Sequence, residues 1–442
     1  MEKIKFDGIE ERLAGMIRIP TVNGSCREYR IDEYKNYLKA QFDTVFDTAA
    51  VLPVKDALLC RIKGSGGEAG SLPVLFTGHM DVVAAKDSDG WDYPPFSGTV
   101  TADSVWGRGS QDMKGPQCAL LSAFDRRLKT GWRPVRDVWL YLSCDEETGG
   151  AVTCEAARVL EKKGIRFETV FDEGGTICED FMGLVKGRAA LFGVAEKGSL
   201  EYRFTSAAEG GHAAAAPRNS AIVKLAGLIN EAEGGAMFHR ELSPAVSRTL
   251  RAAAEYCTVE ETRKRLLAAS EDREPYTLLK EVCPQAESML GATIAFTMIQ
   301  GGTAFNVMPI KAVLTANVRV SSVETEKEVT EKLKALAERH GVCCELAGGT
   351  DASFEGSEEG FGYQVMKASM NEVYPGLPVI PFVLGGGTDS KHFCHITDEI
   401  LRFSPLYSAP FQGRGVHGEN ESVFIEALKE AARCYDVLLG KL

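Results

Sequence analysis

Three short apolar runs, at residues 74–77, 138–142 and 169–171, are each followed by side chains that could do chemistry. Stretches with helical periodicity separate the runs, which predicts a mostly parallel sheet with helices packed on both faces. Ligands of such sheets bind beyond the carboxyl ends of the strands, so side chains at those ends should share one site. These side chains are His79 and Asp81 after the first run, Glu146 and Glu147 after the second, and Asp172 and Glu173 after the third.

Two further residues are placed to join this site. Asp112 lies just before a predicted helix at 115–130, and His417 lies in a glycine-bracketed loop before the last helix. Two imidazoles and three carboxylates would give each of two zinc ions a nitrogen and a private oxygen, with one carboxylate bridging. Asp81, two residues after His79 on the same face of an extended chain, is predicted to accept the far imidazole proton.

One acid remains beyond the predicted ligands, and hydrolysis needs such a group. A general base takes the proton from the attacking water and hands it to the leaving amine. The residue types therefore predict a two-metal hydrolase. They leave open whether Glu146 or Glu147 is the base, and whether Asp172 or Glu173 is the ligand.

Composition bounds the other possibilities. A chain of 442 residues predicts two domains, and a net charge of -12 argues against a nucleic-acid surface, which would need a basic stripe. The start has no signal-peptide pattern and no segment is apolar enough to span a membrane, so we expect a soluble cytoplasmic protein whose twelve cysteines are reduced. No Gly-x-Gly-x-x-Gly follows the first strand, which argues against a nucleotide-dependent oxidoreductase.

The periodicity changes after about residue 197. A β-α-β-β-α-β order follows, typical of a ferredoxin-like domain, with a charged helical insertion at about 233–289. We therefore expect a catalytic domain in two parts, 1–197 and 350–442, interrupted by a second domain at 198–349.

Ordered motifs identify a family. The chain resembles the zinc metallopeptidases that include aminoacylase, carboxypeptidase S, succinyl-diaminopimelate desuccinylase and glutamate carboxypeptidase, and it is most similar to the carboxypeptidase S-like members. The resemblance runs from about residue 10 to the end. The motifs are Phe76-Thr77-Gly78-His79-Met80-Asp81, Trp106-Gly107-Arg108-Gly109, Asp112-Met113-Lys114-Gly115, Asp145-Glu146-Glu147-Thr148-Gly149-Gly150, Gly210-Gly211-His212, Gly386-Gly387-Thr388-Asp389-Ser390 and His417-Gly418-Glu419-Asn420-Glu421.

The resemblance implies a role for each matched residue. His79 and Asp172 would bind one zinc ion, Glu147 and His417 the other, and Asp112 would bridge them. Cobalt or manganese could replace zinc. Glu146 would be the general base, and the peptide after Asp112 would be cis.

The resemblance also implies roles outside the catalytic domain. The second domain would form a homodimer, and its His212 would stabilise the oxyanion in the partner's site. Arg319 and the loop that contains Gly387 and Thr388 would bind the substrate carboxylate. Asn306 would be a further substrate-binding residue.

The implied reaction is cleavage of an amide bond next to a free carboxylate, in N-acyl amino acids or short peptides. A dipeptidase or a desuccinylase-type deacylase is the alternative, and a non-catalytic binding protein on the same fold is the alternative from another class. Alanines at 213–216 replace the serines common after the histidine, and Pro116 replaces a common glycine. His392 is a second candidate for the last metal ligand, but His417 matches the motif.

Overall fold

The computed structural model describes residues 4–24, 28–66, 71–216, 218–233, 237–238, 240–271, 276–282 and 288–442. The chain forms two compact units. The first, the catalytic unit, comprises Met1–Val194, Gly356–Phe382 and Thr388–Leu442, and the second comprises Ala195–Glu355 and Val383–Gly387. The sequence analysis placed the transitions at 197/198 and 349/350.

The described residues form helices and strands in the following order along the chain. The helices are α1 (Ile9–Ile17), α2 (Ile31–Gln41), α3 (Asp43–Thr48), α4 (Lys114–Lys129), α5 (Ala151–Lys162), α6 (Ala221–Glu233), α7 (Pro244–Tyr256), α8 (Glu260–Glu271), α9 (Tyr276–Val282), α10 (Glu326–Arg339), α11 (Phe361–Val373), α12 (Pro410–Gly413) and α13 (Ile425–Leu439). The strands are β1 (Ala50–Val54), β2 (Ala57–Ile62), β3 (Val74–His79), β4 (Thr99–Val100), β5 (Ser104–Trp106), β6 (Val138–Ser143), β7 (Thr169–Phe181), β8 (Val185–Glu196), β9 (Gly198–Ala207), β10 (Gly211–His212), β11 (Thr293–Gly301), β12 (Val307–Met308), β13 (Lys311–Val320), β14 (Val342–Thr350), β15 (Val379–Leu384), β16 (Ile400–Tyr407) and β17 (Ser422–Phe424).

The main sheet of the catalytic unit has eight strands in the order β1-β2-β6-β3-β7-β16-β8-β15. Its centre is parallel, because β3 pairs in parallel with β6 and β7, and β7 pairs in parallel with β16. Strands β3 and β6 are buried along their whole length, as expected for parallel strands covered on both faces. The predicted fold class is thus confirmed, and the three central strands end at one edge.

The second unit contains a four-stranded antiparallel sheet in the order β11-β13-β9-β14. Together with α6 and α10 this is the ferredoxin-like arrangement predicted from the sequence. Helices α7, α8 and α9 occupy the predicted insertion, of which residues 234–236, 239, 272–275 and 283–287 lie outside the described part of the chain. The apolar core lies between the sheet and the helices and includes Tyr202, Leu225 and Leu333.

A small sheet joins distant parts of the catalytic unit. Strand β17 pairs with β5, which also pairs with β4, so that Ser422 lies opposite Trp106. The last helix, expected after the loop that carries His417, is α13, which begins at Ile425 directly after this strand. The sheet brings the segment after β5, which carries Asp112, next to the loop that carries His417.

Two expectations from composition can be compared with the structure. Every cysteine in the described segments has a free thiol. Among the helices of the described residues, none has the length and apolar character needed to cross a bilayer.

Candidate metal centre

The side chains predicted from the strand ends meet at the carboxyl edge of the parallel strands. His79 is the last residue of β3, and its Nε2 lies 2.8 Å from Asp112 Oδ1. His417 Nε2 lies 3.1 Å from the other oxygen of the same carboxylate, Asp112 Oδ2, and 3.2 Å from Glu147 Oε2. Asp112 therefore stands between two imidazoles, each facing one of its oxygens, which is the arrangement of a bridging carboxylate.

The segment before α4 has the backbone conformation that the resemblance implies. The Asp112–Met113 peptide is cis, as expected. The Sδ of Met113 accepts a hydrogen bond from the His79 backbone N–H at 3.1 Å, so that Met113 links the Asp112 segment to the end of β3. Pro116 lies in the first turn of α4, where a proline is tolerated.

Asp81 holds the neighbouring acidic turn. Its carboxylate accepts hydrogen bonds from the backbone N–H groups of Glu146 at 3.3 Å and of Glu147 at 3.1 Å. His79 Nδ1 lies 2.8 Å from the backbone oxygen of Asp81 but 3.7 Å from its carboxylate. The expected orientation of the imidazole by Asp81 thus operates through the main chain, because the side chain is used by the turn.

The third strand brings Glu173, rather than Asp172, beside His79. Glu173 Oε1 lies 3.1 Å from His79 Nε2, whereas Asp172 Oδ2 accepts a hydrogen bond from the backbone N–H of Ser390 at 2.8 Å. The pairing of β7 with β16 slips between Asp172 and Gly175, so the strict alternation of side chains ends there. Gly175 is required at this point, since a Cβ would lie 1.9 Å from the backbone oxygen of Leu191.

Three overlapping groups of side chains could hold a cation. Among the described residues they are His79 with Asp112 and Glu173, His79 with Glu146 and Glu147, and Asp112 with Glu147 and His417. Asp172 belongs to none of these groups, nor does the alternative ligand His392. The geometry alone leaves Glu146 within reach of a cation, so its assignment as the base comes from the resemblance.

The pKa values show how strongly this centre needs positive charge. Burial and the nearby carboxylates raise the pKa of Glu146 to about 9 and that of Glu173 to about 8. Hydrogen bonds to Asp112 and Glu147 raise the pKa of His417 to about 10. Burial disfavours both the charged imidazole of His79 and the charged carboxylate of Asp112, but their mutual attraction and their other partners outweigh it, so the pKa of His79 rises and that of Asp112 falls. Without cations, Glu146, Glu173 and His417 therefore hold protons at neutral pH.

The remaining predicted residues belong mostly to the second unit. His212 ends β10, and its Nδ1 accepts a hydrogen bond from the backbone N–H of Ala214 at 3.1 Å. Because the donor is a backbone N–H, the contact does not depend on the serines that alanines replace after His212. With Nδ1 as the acceptor, a neutral ring carries its proton on Nε2. The backbone oxygen of Asn306 accepts from the N–H of Ala213 at 3.0 Å, which ties the two predicted segments together.

Arg319 lies on β13, where its Nε donates to Asn317 Oδ1 at 3.0 Å. This contact orients the guanidinium. Gly387 ends the second unit, and Thr388, which begins the next segment of the catalytic unit, has its Oγ1 2.6 Å from Ser390 Oγ.

Sequence reasoning missed one buried group near the centre. Asp389 follows Thr388, is almost fully buried, and has a pKa that burial raises to about 7. It contributes to the raised pKa of Glu146. The motif Gly386-Gly387-Thr388-Asp389-Ser390 contained the signal, but an aspartate before a helical turn is usually a cap.

Comparison with known proteins gives the family of this chain. Residues 75–441 match the model of peptidase family M20/M25/M40. The chain belongs to the M20 peptidase family. It is 30% identical over 429 residues to the human N-fatty-acyl-amino acid synthase/hydrolase PM20D1, covering 95% of this chain and 84% of the relative. It is 26% identical over 385 residues to the probable carboxypeptidase S-like 2 of Dictyostelium discoideum, covering 82% of this chain and 70% of the relative.

Solved structures of M20 proteins share the fold. The metallo-carboxypeptidase Sso-CP2 from Sulfolobus solfataricus superposes with a TM-score of 0.76 at 19% identity, over 98% of this chain and 99% of that chain. A protein of Bacillus subtilis described as a dinuclear metal-binding peptidase of the M20 family gives a TM-score of 0.60 at 13% identity, over 98% of both chains. The match to the family model and the sequence relatives confirm the predicted family and enzyme class: the chain is a hydrolase of the metallopeptidase and amidohydrolase type.

Proposed function

We propose that this protein is a two-metal hydrolase that cleaves the amide bond of N-acyl amino acids or short peptides with a free C-terminal carboxylate. The observation that carries the proposal is the Asp112 carboxylate between the two imidazoles of His79 and His417, 2.8 and 3.1 Å away. Zinc is the proposed ion, with cobalt or manganese as substitutes, since mixed nitrogen and oxygen ligands suit all three.

The donor atoms fit a pair of such cations. Two ligands of one tetrahedral zinc ion lie about 3.3 Å apart, given bonds of about 2.0–2.1 Å. The contacts of Asp112 and Glu147 with the imidazoles, at 2.8–3.2 Å, are close to that value. In addition, Glu147 Oε1 is buried without a hydrogen-bond partner among the described residues, as expected of an atom that binds a cation.

The proposed ligand sets share Asp112. His79 and Glu173 would complete one set, and Glu147 and His417 the other. The sequence-based assignment of Asp172 stays a prediction, but the 3.1 Å contact of Glu173 with His79 favours Glu173.

The cations would polarise the scissile carbonyl and make water acidic enough to attack it at neutral pH. Glu146 accepts the proton of that water and delivers it to the nitrogen of the leaving amine. The turn that carries Glu146 is fixed by the Asp81 carboxylate through two backbone hydrogen bonds, so the base is held in place.

The second unit carries the residues that, as the resemblance implies, would bind the substrate carboxylate and, in the partner's site, the oxyanion. His212 donates from Nε2, because its Nδ1 already accepts from Ala214. Arg319 offers a guanidinium oriented by Asn317, and a planar fork of this kind matches a carboxylate in two parallel hydrogen bonds. Asn306 and the backbone donors of Gly387 and Thr388 complete this proposed set.

The acyl group would then bind to the catalytic unit. A cavity of about 170 Å³ includes Asp112 and Glu173 in its wall, with apolar surface from Pro116, Leu406 and Val416. This volume is well below the roughly 300–1,000 Å³ of pockets for drug-sized ligands. The cavity therefore favours a short acyl group over the long chain named for the human relative.

A homodimer through the second unit remains part of the proposal. Strand β11 lies at the edge of its sheet, and Met298 and Ile299 on that strand are 56% and 58% exposed. An exposed apolar edge strand is a surface on which another chain can pair.

The proposal is tested by the Glu146→Gln variant beside the wild-type protein, each stripped of metal by a chelator and reloaded with zinc, cobalt or manganese. Substrates are a series of N-acyl amino acids and dipeptides. We expect the variant to bind two cations per chain and to lose at least about 100-fold in kcat, because an amide cannot accept the proton.

Three outcomes would count against parts of this proposal. A wild-type protein that takes up one cation at most would refute the two-metal centre. Near-normal turnover by the Glu146→Gln variant would refute the base. Hydrolysis of dipeptides alone would favour the dipeptidase alternative.

A further inference from the structure

Glu421, outside every proposed ligand set, organises the segment that carries the bridging Asp112. Its side chain is fully buried and accepts four hydrogen bonds. Oε1 accepts from the backbone N–H groups of Gln111 at 2.7 Å and Asp112 at 3.1 Å. Oε2 accepts from the N–H of Gly109 at 2.9 Å and from Arg108 Nη1 at 2.7 Å.

Arg108 extends this contact to the loop that carries His417. Its Nη2 donates to the backbone oxygen of Gly418 at 2.7 Å, and its Nη1 lies 3.4 Å from that of Gly415. His417, between these two glycines, has a φ of 56°, a conformation that residues other than glycine rarely adopt. The loop is therefore held in an unfavourable conformation by contacts outside itself. The ring of Trp91 covers the guanidinium, with its centroid 5.3 Å from Cζ.

We propose that the Arg108–Glu421 pair is a positioning clamp that fixes Asp112 and His417 relative to each other, and so sets the affinity of the cation that these two residues share with Glu147. The inference rests on the proposed two-metal centre. The clamp joins residues far apart in sequence through one buried ion pair, whose side chains are 4% and 0% exposed. Neither residue touches a cation, so the clamp acts through the two ligands.

The charge of Glu421 is central to this arrangement, since all four of its partners are donors. In Glu421→Gln one oxygen becomes an amide nitrogen, which places a donor against other donors and leaves buried groups unpaired. Loss of a group that orients a metal ligand typically costs about 10–100-fold in metal affinity. The cation held by His79 and Glu173 shares only Asp112 with the clamp and should be affected less.

The test is a two-site titration of the metal-free protein with Co²⁺, followed by competition with a chelator and by the visible spectrum of the bound ion. For Glu421→Gln we expect about 10–100-fold weaker binding of one of the two ions, a change in its spectrum, and at most a few-fold change for the other. Arg108→Lys keeps the charge but cannot reach Glu421 and Gly418 together, so it should give a smaller loss at the same site.

A second buried carboxylate of the catalytic unit that is paired with arginine provides the control. Asp436 is fully buried, and its carboxylate lies 2.7 Å from Arg126 Nη1 and 2.8 Å from Arg127 Nη2, linking α13 to the far end of α4. Asp436→Asn should lower the Tm but leave both cobalt affinities unchanged. The clamp is refuted if a folded Glu421→Gln binds both ions as tightly as the wild type, or if Asp436→Asn weakens the same ion equally. Should Glu421→Gln not fold, Arg108→Lys decides by the same criterion. Failure of the wild type to bind two ions would instead refute the metal centre.

Discussion

The single carboxylate of Asp112 contacts the imidazoles of both His79 and His417. Each of its oxygens faces an imidazole nitrogen, and the acids Glu147 and Glu173 face the same two imidazoles. Carboxylates this close together in a buried crevice repel each other unless protons or cations lie between them. The pKa values of Glu173 and His417 are raised for this reason, so both groups bind protons more tightly than usual when no cation is bound.

At the residue scale, Glu173 and Asp172 can be distinguished by experiment. Glu173→Gln should weaken the cation bound by His79 by more than about 100-fold, because removal of an outer partner already costs about 10–100-fold. Asp172→Asn should change that affinity by less than about tenfold, since the amide oxygen can still accept from the Ser390 N–H. Chelator competition at each site measures both variants. The reverse ranking would restore Asp172 as the ligand.

The sequence could not decide between these two residues for a geometric reason. Period-two alternation assigns side chains to faces only while a strand keeps its register, and the register of β7 slips just after Asp172. By contrast, His79 was predictable, because it directly follows an uninterrupted apolar run that ends at a glycine.

At the element scale, strands with an uninterrupted apolar run and helices with a clear period were predictable, whereas the strands of two or three residues were not. The apolar periodicity of α4 and the runs in β3 and β6 predict these elements within a few residues. Strands β4, β5 and β17 contain two or three residues each, too few for any period to be detected. Their pairing also joins Trp106 to Ser422, and composition contains no signal for so distant a contact. Arg108 and Glu421 could therefore be recognised in the sequence only as members of motifs, and their contact could not be predicted.

Strand β16 offers a prediction about substrate size. Leu406, near its end, is buried and lines the cavity beside Asp112 and Glu173. Leu406→Ala should raise the ratio of kcat/KM for a longer acyl chain to that for N-acetyl substrates by at least about tenfold, because one methylene in a fitted pocket is worth about 10–200-fold. The ratio is unaffected by any loss of folded enzyme.

The control for this prediction is Leu428→Ala, a buried leucine on α13 that does not line the cavity. It should lower stability by a similar amount and leave the ratio unchanged. If both variants keep the wild-type preference, the acyl group binds elsewhere, although hydrolysis of N-acetyl substrates would still support the proposed reaction.

At the scale of the whole molecule, metal uptake should depend steeply on pH. The pKa of Glu173 is about 8 and that of His417 about 10 in the metal-free centre, so both hold protons at pH 7 that a cation must displace. Affinity should therefore rise with pH between 6 and 8, by about tenfold per pH unit for each proton released.

Calorimetric titration with Zn²⁺ in two buffers of different ionisation enthalpy counts those protons. Release of at least one proton per chain at pH 7 is expected. An affinity that does not change over this pH range would mean that the ligands are already free of protons and that the centre is more open to water than its burial indicates.

The ligands of the proposed centre come from nearly the whole length of the chain, from His79 to His417. During synthesis, most of the catalytic unit has therefore left the ribosome before the residues that would complete the second cation site. The ion that we propose to be bound by Glu147 and His417 could not be held in its final geometry until β17 has paired with β5. If the proposed centre is correct, this ion would be loaded late, once both ends of the catalytic unit have come together.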